Sequence, residues 1–106
     1  MANPLAGEVA LVVDGQRHIL KLTLGALAEL EAELGEGDLI SLVQRFETGR
    51  FSSGDLLALL AAGMRGGGAE MSRQTLATAG IDGGVMQAAS VAAQLLALSF
   101  AAPVAP

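Results

Sequence analysis

The chain has 106 residues, enough for one small domain with a single modest core. Apolar residues make up 52% of it and aromatic residues only 3%, so we expect a core built mainly from Leu, Val and Ala. The net charge of −5 disfavours nucleic acid and anionic membranes as partners, and the lack of cysteine excludes disulfides and thiol chemistry and is consistent with a reducing cytoplasm.

Two runs of alternating apolar residues within residues 8–22 flank the dipeptide Asp14-Gly15. Asp-Gly between such runs is a strong hairpin signal, because both turn positions tolerate a positive φ. A two-residue loop fixes the register and brings Glu8 opposite Lys21, a favourable pair of opposite charges. A lone hairpin is marginal in water, so this one is expected to pack on helices or to extend the sheet of another chain.

Recurring capping residues mark the helices that follow. Thr23 has the side chain of an N-cap. Ser52 and Asp55 have the spacing of a capping box, and Phe51 and Leu56 have that of a hydrophobic staple. The same arrangement, an apolar residue before the cap and another four positions after it, recurs twice later in the chain. The first copy is Met71, Ser72 and Leu76, and the second is Ile81, Asp82 and Met86.

Apolar residues at every third or fourth position predict four or five short helices. Asp38 is a further cap, and Gly35 and Gly49 are expected to end helices. The helices are expected at about residues 24–34, 38–48, 53–65, 73–79 and 83–101. The predicted fold class is therefore α+β, mainly α, with the hairpin packed on these helices in a single domain over residues 1–106. Residues 1–6 and 102–106 are expected to be flexible termini, and no signal peptide is expected.

The residues that could carry chemistry do not form a reactive group. His18 is the only histidine, and the hairpin register places it on the face of Val9 and Leu20, so we interpret it as a packing residue. Glu29 and Glu33 lie one helical turn apart and are interpreted as a solvated face, with an acidic docking stripe as the alternative. We predict no catalytic, cofactor or metal site and expect that the protein is not an enzyme.

Two segments of the second half of the chain need a separate interpretation. The run Gly66-Gly67-Gly68 lacks the flanking residues of a phosphate-binding loop and is predicted to be a flexible joint between helices. After Asp82 no charged residue occurs. The last helix is therefore a core helix, a partner-binding helix or a membrane span, and its Ala, Gly, Ser and Gln content favours the first two.

The stretch VVDGQRHILKLTLGALAELEAELG, followed by GDLISLVQRFETGRFSSGDLLALLAAGMRGGG, resembles the small tail assembly proteins of gene transfer agents. These are the phage-like particles of alphaproteobacteria, and similar proteins occur in long-tailed phages. The resemblance covers about residues 7–68, and residues 22–27, 39–46 and 49–52 carry it. The remainder is similar in helix pattern and length.

The resemblance implies a non-catalytic, cytoplasmic tail assembly chaperone without a cofactor. Its partners would be the tape-measure protein and the tail-tube protein, with self-association as a further possibility and with neither nucleic acid nor membrane as a partner. The alternative is a structural tail component retained in the finished particle, with the hairpin joining a neighbour's sheet. The apolar surfaces expected to bind a helical client by its i, i+3, i+4 anchors are formed by Leu27, Leu30, Leu34, Val85, Ala89, Ala92 and Leu96.

Overall fold

The computed structural model describes residues 2–34 and 39–100, the last of these by its backbone alone. Within them, an antiparallel hairpin and five α-helices confirm the predicted α+β, mainly α fold. The predicted Gly35 stop, the Asp38 cap and the segment 101–106 lie outside the described residues. The elements are β1 (Glu8–Val13), β2 (Gln16–Lys21), α1 (Leu24–Leu34), α2 (Leu39–Thr48), α3 (Ser53–Gly66), α4 (Arg73–Thr78) and α5 (Gly84–Phe100), preceded by a 3₁₀ helix at Pro4–Ala6.

The hairpin has the predicted register, from Val13 opposite Gln16 to Glu8 opposite Lys21. Asp14 and Gly15 adopt φ angles of 49° and 79°, as a turn with two left-handed positions requires. One face of the hairpin carries large apolar side chains and is buried. Its core residues are Val9, Leu11, Val13 and Leu20.

The core lies between that face, α3 and α5. The middle of α3 is buried all round, and Leu59, Ala61 and Met64 have no exposed surface. Such a helix has to be apolar on every side, because β2, α1, α4 and α5 all pack on it. From α5 the buried residues are Ala88, Val91, Ala92, Leu95 and Leu96.

Predicted caps form at the starts of three helices. The Ala26 N–H donates to Thr23 Oγ1 at 3.1 Å, and the Thr75 N–H donates to Ser72 Oγ at 3.1 Å. Ser52 and Asp55 form the predicted capping box, with bonds of 2.9 and 3.0 Å. These bonds satisfy N–H groups that have no partner within their own helix.

The helix start predicted at Asp82, from the last of the recurring cap arrangements, is wrong in its details. The Asp82 carboxylate makes no hydrogen bond within the described part of the chain, and α5 begins two residues later at Gly84. Met86 is 83% exposed and does not pack as a staple residue should. The backbone of this segment is used for strand pairing instead.

Residues 80–82 cover the tip of the β1 edge. Val13 and Ile81 form an antiparallel bridge. The Asp14 N–H donates to the Gly80 carbonyl at 2.7 Å, and the Asp82 N–H donates to the Val12 carbonyl at 3.1 Å. In return, the Gly80 N–H donates to Asp14 Oδ1 at 2.7 Å, so the turn residue also anchors this segment.

The prediction of a flexible joint is wrong for Gly66 and Gly67. A Cβ on Gly66 would overlap the carbonyl oxygen of Lys21, and one on Gly67 would overlap that of Ile19. Both oxygens belong to the outer edge of β2, and the glycine Cα–H groups approach them as in weak Cα–H···O contacts. The end of α3 therefore packs directly on the β2 backbone, which only glycine permits.

The N-terminal residues make defined contacts. Asn3 caps the 3₁₀ helix through the Leu5 N–H at 3.0 Å. The Glu8 N–H donates to the Asn3 carbonyl, and Glu8 Oε1 accepts from the Asn3 N–H. These bonds cover the base of the β1 edge. The flexibility predicted for residues 1–6 stays a prediction, as does the single-domain organisation.

Candidate partner-binding surface

The main candidate site is an apolar groove between α3, α4 and α5, here called the α3–α5 groove. It has a volume of about 310 Å³ and opens to solvent. None of the described lining residues carries a charge, so an apolar partner could bind without desolvating an ionised group there. The lining residues are Ser53, Leu56, Leu57, Leu60, Leu76, Ala77, Ala79, Ile81, Gly84, Val85 and Ala88.

Local structure positions both walls of this groove. On one side, Ser72 caps α4, and Leu76 is buried against the core with 2% of its surface exposed. On the other side, the backbone bonds of residues 80–82 to β1 fix the entry into α5. Val85 and Met86 follow in the first turn of α5, with 74% and 83% of their surface exposed. Both are large apolar side chains that α5 leaves in water, and Val85 lines the groove.

A second apolar crevice, of about 180 Å³, lies between α2 and α5. Its lining residues are Val43, Phe46, Glu47, Ala93, Leu96 and Ala97. The Phe46 ring stacks on that of Phe51, with ring centroids 4.4 Å apart. The contact attaches α2 to the start of α3.

An ion pair also attaches α2 to α3. Arg45 donates two hydrogen bonds to the Asp55 carboxylate, at 2.9 and 3.2 Å. Burial raises the pKa of Asp55, but the hydrogen bonds from Arg45 and Ser52 and the charge of Arg45 lower it more, so the pKa lies below its ordinary value of 3.8. Asp55 is therefore ionised at neutral pH, both as a capping residue and as an ion-pair partner.

The structure places the seven predicted binding residues in different environments. Leu30, Ala92 and Leu96 are buried, with at most 2% of their surface exposed. Of these three, Leu96 lines the crevice between α2 and α5. Leu27, Leu34 and Ala89 are half-buried. Val85 is the one of the seven that is largely exposed, and it lines the α3–α5 groove. The binding role itself stays a prediction.

Sequence reasoning missed most of the groove. The wall residues Leu57, Leu60 and Ile81 lie on helices or segments whose relative angles are set by distant contacts. Their apolar character alone does not separate a groove wall from a core position. The one available signal was the recurrence of capping residues, which correctly predicted a short helix at Ser72.

The remaining polar candidates have structural contacts. His18 is half-buried opposite Leu11, on the predicted face of the hairpin. Glu29 and Glu33 both face Arg65 of α3, with Nε–Oε2 and Nη2–Oε1 distances of 2.8 and 3.4 Å. The 2.8 Å contact is an ion pair whose N–H is not aligned for a hydrogen bond. The acidic pair therefore connects α1 to α3, although exposed pairs of this kind contribute little stability.

Within the described residues, no helix combines the length and apolar character needed to cross a membrane. The apolar α5 contributes five residues to the core on one face, while Val85 and Met86 in its first turn are exposed, so it is a core helix on that face only.

Comparisons with known proteins give one match. Residues 6–102 match the family described as "Phage tail tube protein, GTA-gp10". No curated protein and no solved structure matches the chain. The family match spans nearly the whole sequence, including α4 and α5, where the resemblance noted above was weakest. The chain therefore belongs to the phage tail tube protein family of GTA-gp10 and is a tail protein of phages or gene transfer agents.

Proposed function

We propose that this protein is a tail assembly chaperone that binds an apolar helical segment of the tape-measure protein in the cytoplasm and is released before the tail is complete. The observation that carries the proposal is the α3–α5 groove, whose described lining is uncharged and includes the exposed Val85, with the exposed Met86 next to Val85 in the sequence. A chaperone for an apolar helix needs such a surface, together with net charge elsewhere. The formal charge of −5 lies entirely on residues before Gly83.

The dimensions of the groove are consistent with helix recognition. A helix in a groove is bound by two or three apolar side chains at i, i+3 and i+4 or i+7. The volume of about 310 Å³ accommodates side chains of this kind but not a second folded domain. Contact with exposed Val85 and Met86 would extend the apolar area beyond the groove itself.

The second candidate is a structural subunit retained in the tail, and the family description names this function more directly. A retained subunit needs two complementary surfaces, because rings and stacks are built from heterologous contacts. For such a subunit, the sequence suggested that the free edge of the hairpin pairs with the sheet of a neighbouring subunit. In the folded chain, however, residues 80–82 and Asn3 cover the two ends of the β1 edge. The end of α3 covers β2. These contacts exclude pairing along the whole of either edge and leave only the middle of the β1 edge, at Ala10, open to a neighbour.

Co-expression with the tape-measure protein encoded in the same tail-gene cluster tests the proposal. We expect the two proteins to co-purify, and Val85→Asp and Met86→Asp to weaken the complex by about tenfold or more. An aspartate in the first turn of a helix is electrostatically favourable, so these variants should remain folded. Leu24→Asp is the matched control, because Leu24 is 84% exposed and also lies in the first turn of a helix, on α1.

The outcomes are distinct. Loss of binding in the α5 variants alone supports the groove. Equal loss in Leu24→Asp would mean that any added charge disrupts the complex, and unchanged binding in Val85→Asp would remove the groove from the proposal.

A further inference from the structure

The β1 edge has an opening between its two intrachain covers. The hairpin register directs the N–H and C=O groups of Glu8, Ala10 and Val12 away from β2. The Val12 carbonyl accepts from Asp82, and the Glu8 N–H donates to Asn3. Between them, the N–H and C=O of Ala10 bond to no group in the described part of the chain. Ala10 is half-buried and lines open cavities, so a ligand backbone would replace the water that hydrates these two groups.

Space for a ligand lies on both sides of Ala10. Cavities of about 170 and 300 Å³ both include Ala10 in their lining. Gln87 of α5 lines the first and Gln94 lines the second. These residues are seven positions apart on the helix, about 10 Å along its axis. This is the length of about three residues of extended chain.

The ends of the opening are acidic. The exposed carboxylate of Asp82 lines the cavity near the hairpin tip, and Glu8 lines the one near its base. Lysine and arginine are absent from the described lining of both cavities. Lys21 lies opposite Glu8 on β2 but outside both described linings, so Glu8 and Asp82 are the charged residues that a ligand in the cavities would meet. Two such carboxylates favour a ligand with basic ends and an uncharged centre.

We propose that this β1–α5 crevice, formed by Ala10, Gln87, Gln94, Glu8 and Asp82, binds an extended peptide segment of a partner protein. One ligand residue pairs through its backbone with Ala10, in the manner of strand addition to a sheet edge. The Gln87 and Gln94 amides, which can both donate and accept, bind the other side of the ligand backbone. A Lys or Arg at each end of the segment interacts with Asp82 and Glu8. The crevice is separate from the α3–α5 groove and does not depend on the chaperone function.

Fluorescence anisotropy with the labelled, capped peptide Lys-Val-Thr-Val-Thr-Lys tests this site, and Glu-Val-Thr-Val-Thr-Glu is the charge-reversed control. We expect the basic peptide to bind at least about tenfold more tightly than the acidic one. Ala10→Pro removes the outward N–H without removing a hairpin bond, because proline is tolerated where a strand N–H points away from the sheet. This variant should weaken binding by about tenfold or more.

Further variants make the test independent of the proline substitution. Gln87→Ala combined with Gln94→Ala should also weaken binding, whereas Gln44→Ala, an exposed glutamine on α2, should not. Asp82→Asn should reduce the preference for the basic peptide. Binding that survives both Ala10→Pro and the double glutamine variant would show simple charge attraction and would overturn the proposal. Failure of the basic peptide to bind at millimolar concentration would overturn it as well.

Discussion

Substitution of Gly66 by alanine is expected to destabilise the protein strongly. The new Cβ would overlap the carbonyl oxygen of Lys21 and would lie 2.9 Å from its carbonyl carbon and 3.2 Å from the Thr23 nitrogen. All three are backbone atoms, so no side-chain rotation relieves the contact, and α3 has to move away from β2. Overpacking of this kind costs about 1–3 kcal/mol or more, against a gain of about 1 kcal/mol from replacing glycine in a helix.

Since backbone atoms cause the overlap, we expect a cost at the upper end of that range, with a net loss of about 2 kcal/mol. For a domain of this size, this corresponds to a fall in Tm of about 10 °C. Gly54→Ala is the control in the same helix, because its Cβ would meet only Ser52 Oγ, at 3.6 Å. Its Tm should be unchanged or slightly higher. Thermal unfolding followed by circular dichroism measures both variants, and equal Tm values would refute the close packing of α3 on β2.

Three further predictions concern stability and are tested by chemical or thermal unfolding. Asp55→Asn should destabilise the protein at pH 7 by about 1–2 kcal/mol, because the charged bonds from Arg45 are lost. The folded pKa of Asp55 lies below 3.8, so the stability difference between wild type and variant should be complete well above that pH. It should disappear as the pH falls through the folded pKa, and a difference that does not depend on pH would contradict this. Leu30→Ala should cost about 2–5 kcal/mol, as Leu30 is fully buried, and a cost below 1 kcal/mol would contradict the burial. Asp14→Gly keeps the left-handed turn and loses only the bond from Gly80, so it should cost about 1 kcal/mol and less than Asp14→Ala; the reverse order would contradict this account of the turn.

Features that depend on nearby residues could be predicted from the sequence. The Asp14-Gly15 loop has two residues, which fixes every pair in the hairpin, and the register was confirmed. Likewise, Ser52 and Asp55 satisfy N–H groups within one helical turn, so their capping box could be recognised by spacing. The family resemblance was likewise confirmed at the level of tail proteins.

Features that depend on distant residues could not be predicted. Asp14 and Gly80 are 66 positions apart, and nothing in either segment predicts that they bond. Leu24 and Leu30 are both apolar residues of α1 but lie about 120° apart around the helix. The position of α3 decides that Leu30 is fully buried while Leu24 is 84% exposed. The α3–α5 groove has the same origin, since its walls meet only when the whole chain is folded.

Quantitative mass spectrometry of purified, finished particles tests the central claim most directly. The tail-tube protein serves as the internal standard, and lysate from cells that are assembling tails serves as the positive control. As a chaperone, this protein should be bound to the tape-measure protein in the lysate and be absent from finished tails. Its presence in finished tails at a fixed ratio to the tail-tube protein would contradict the chaperone function and establish a retained structural subunit.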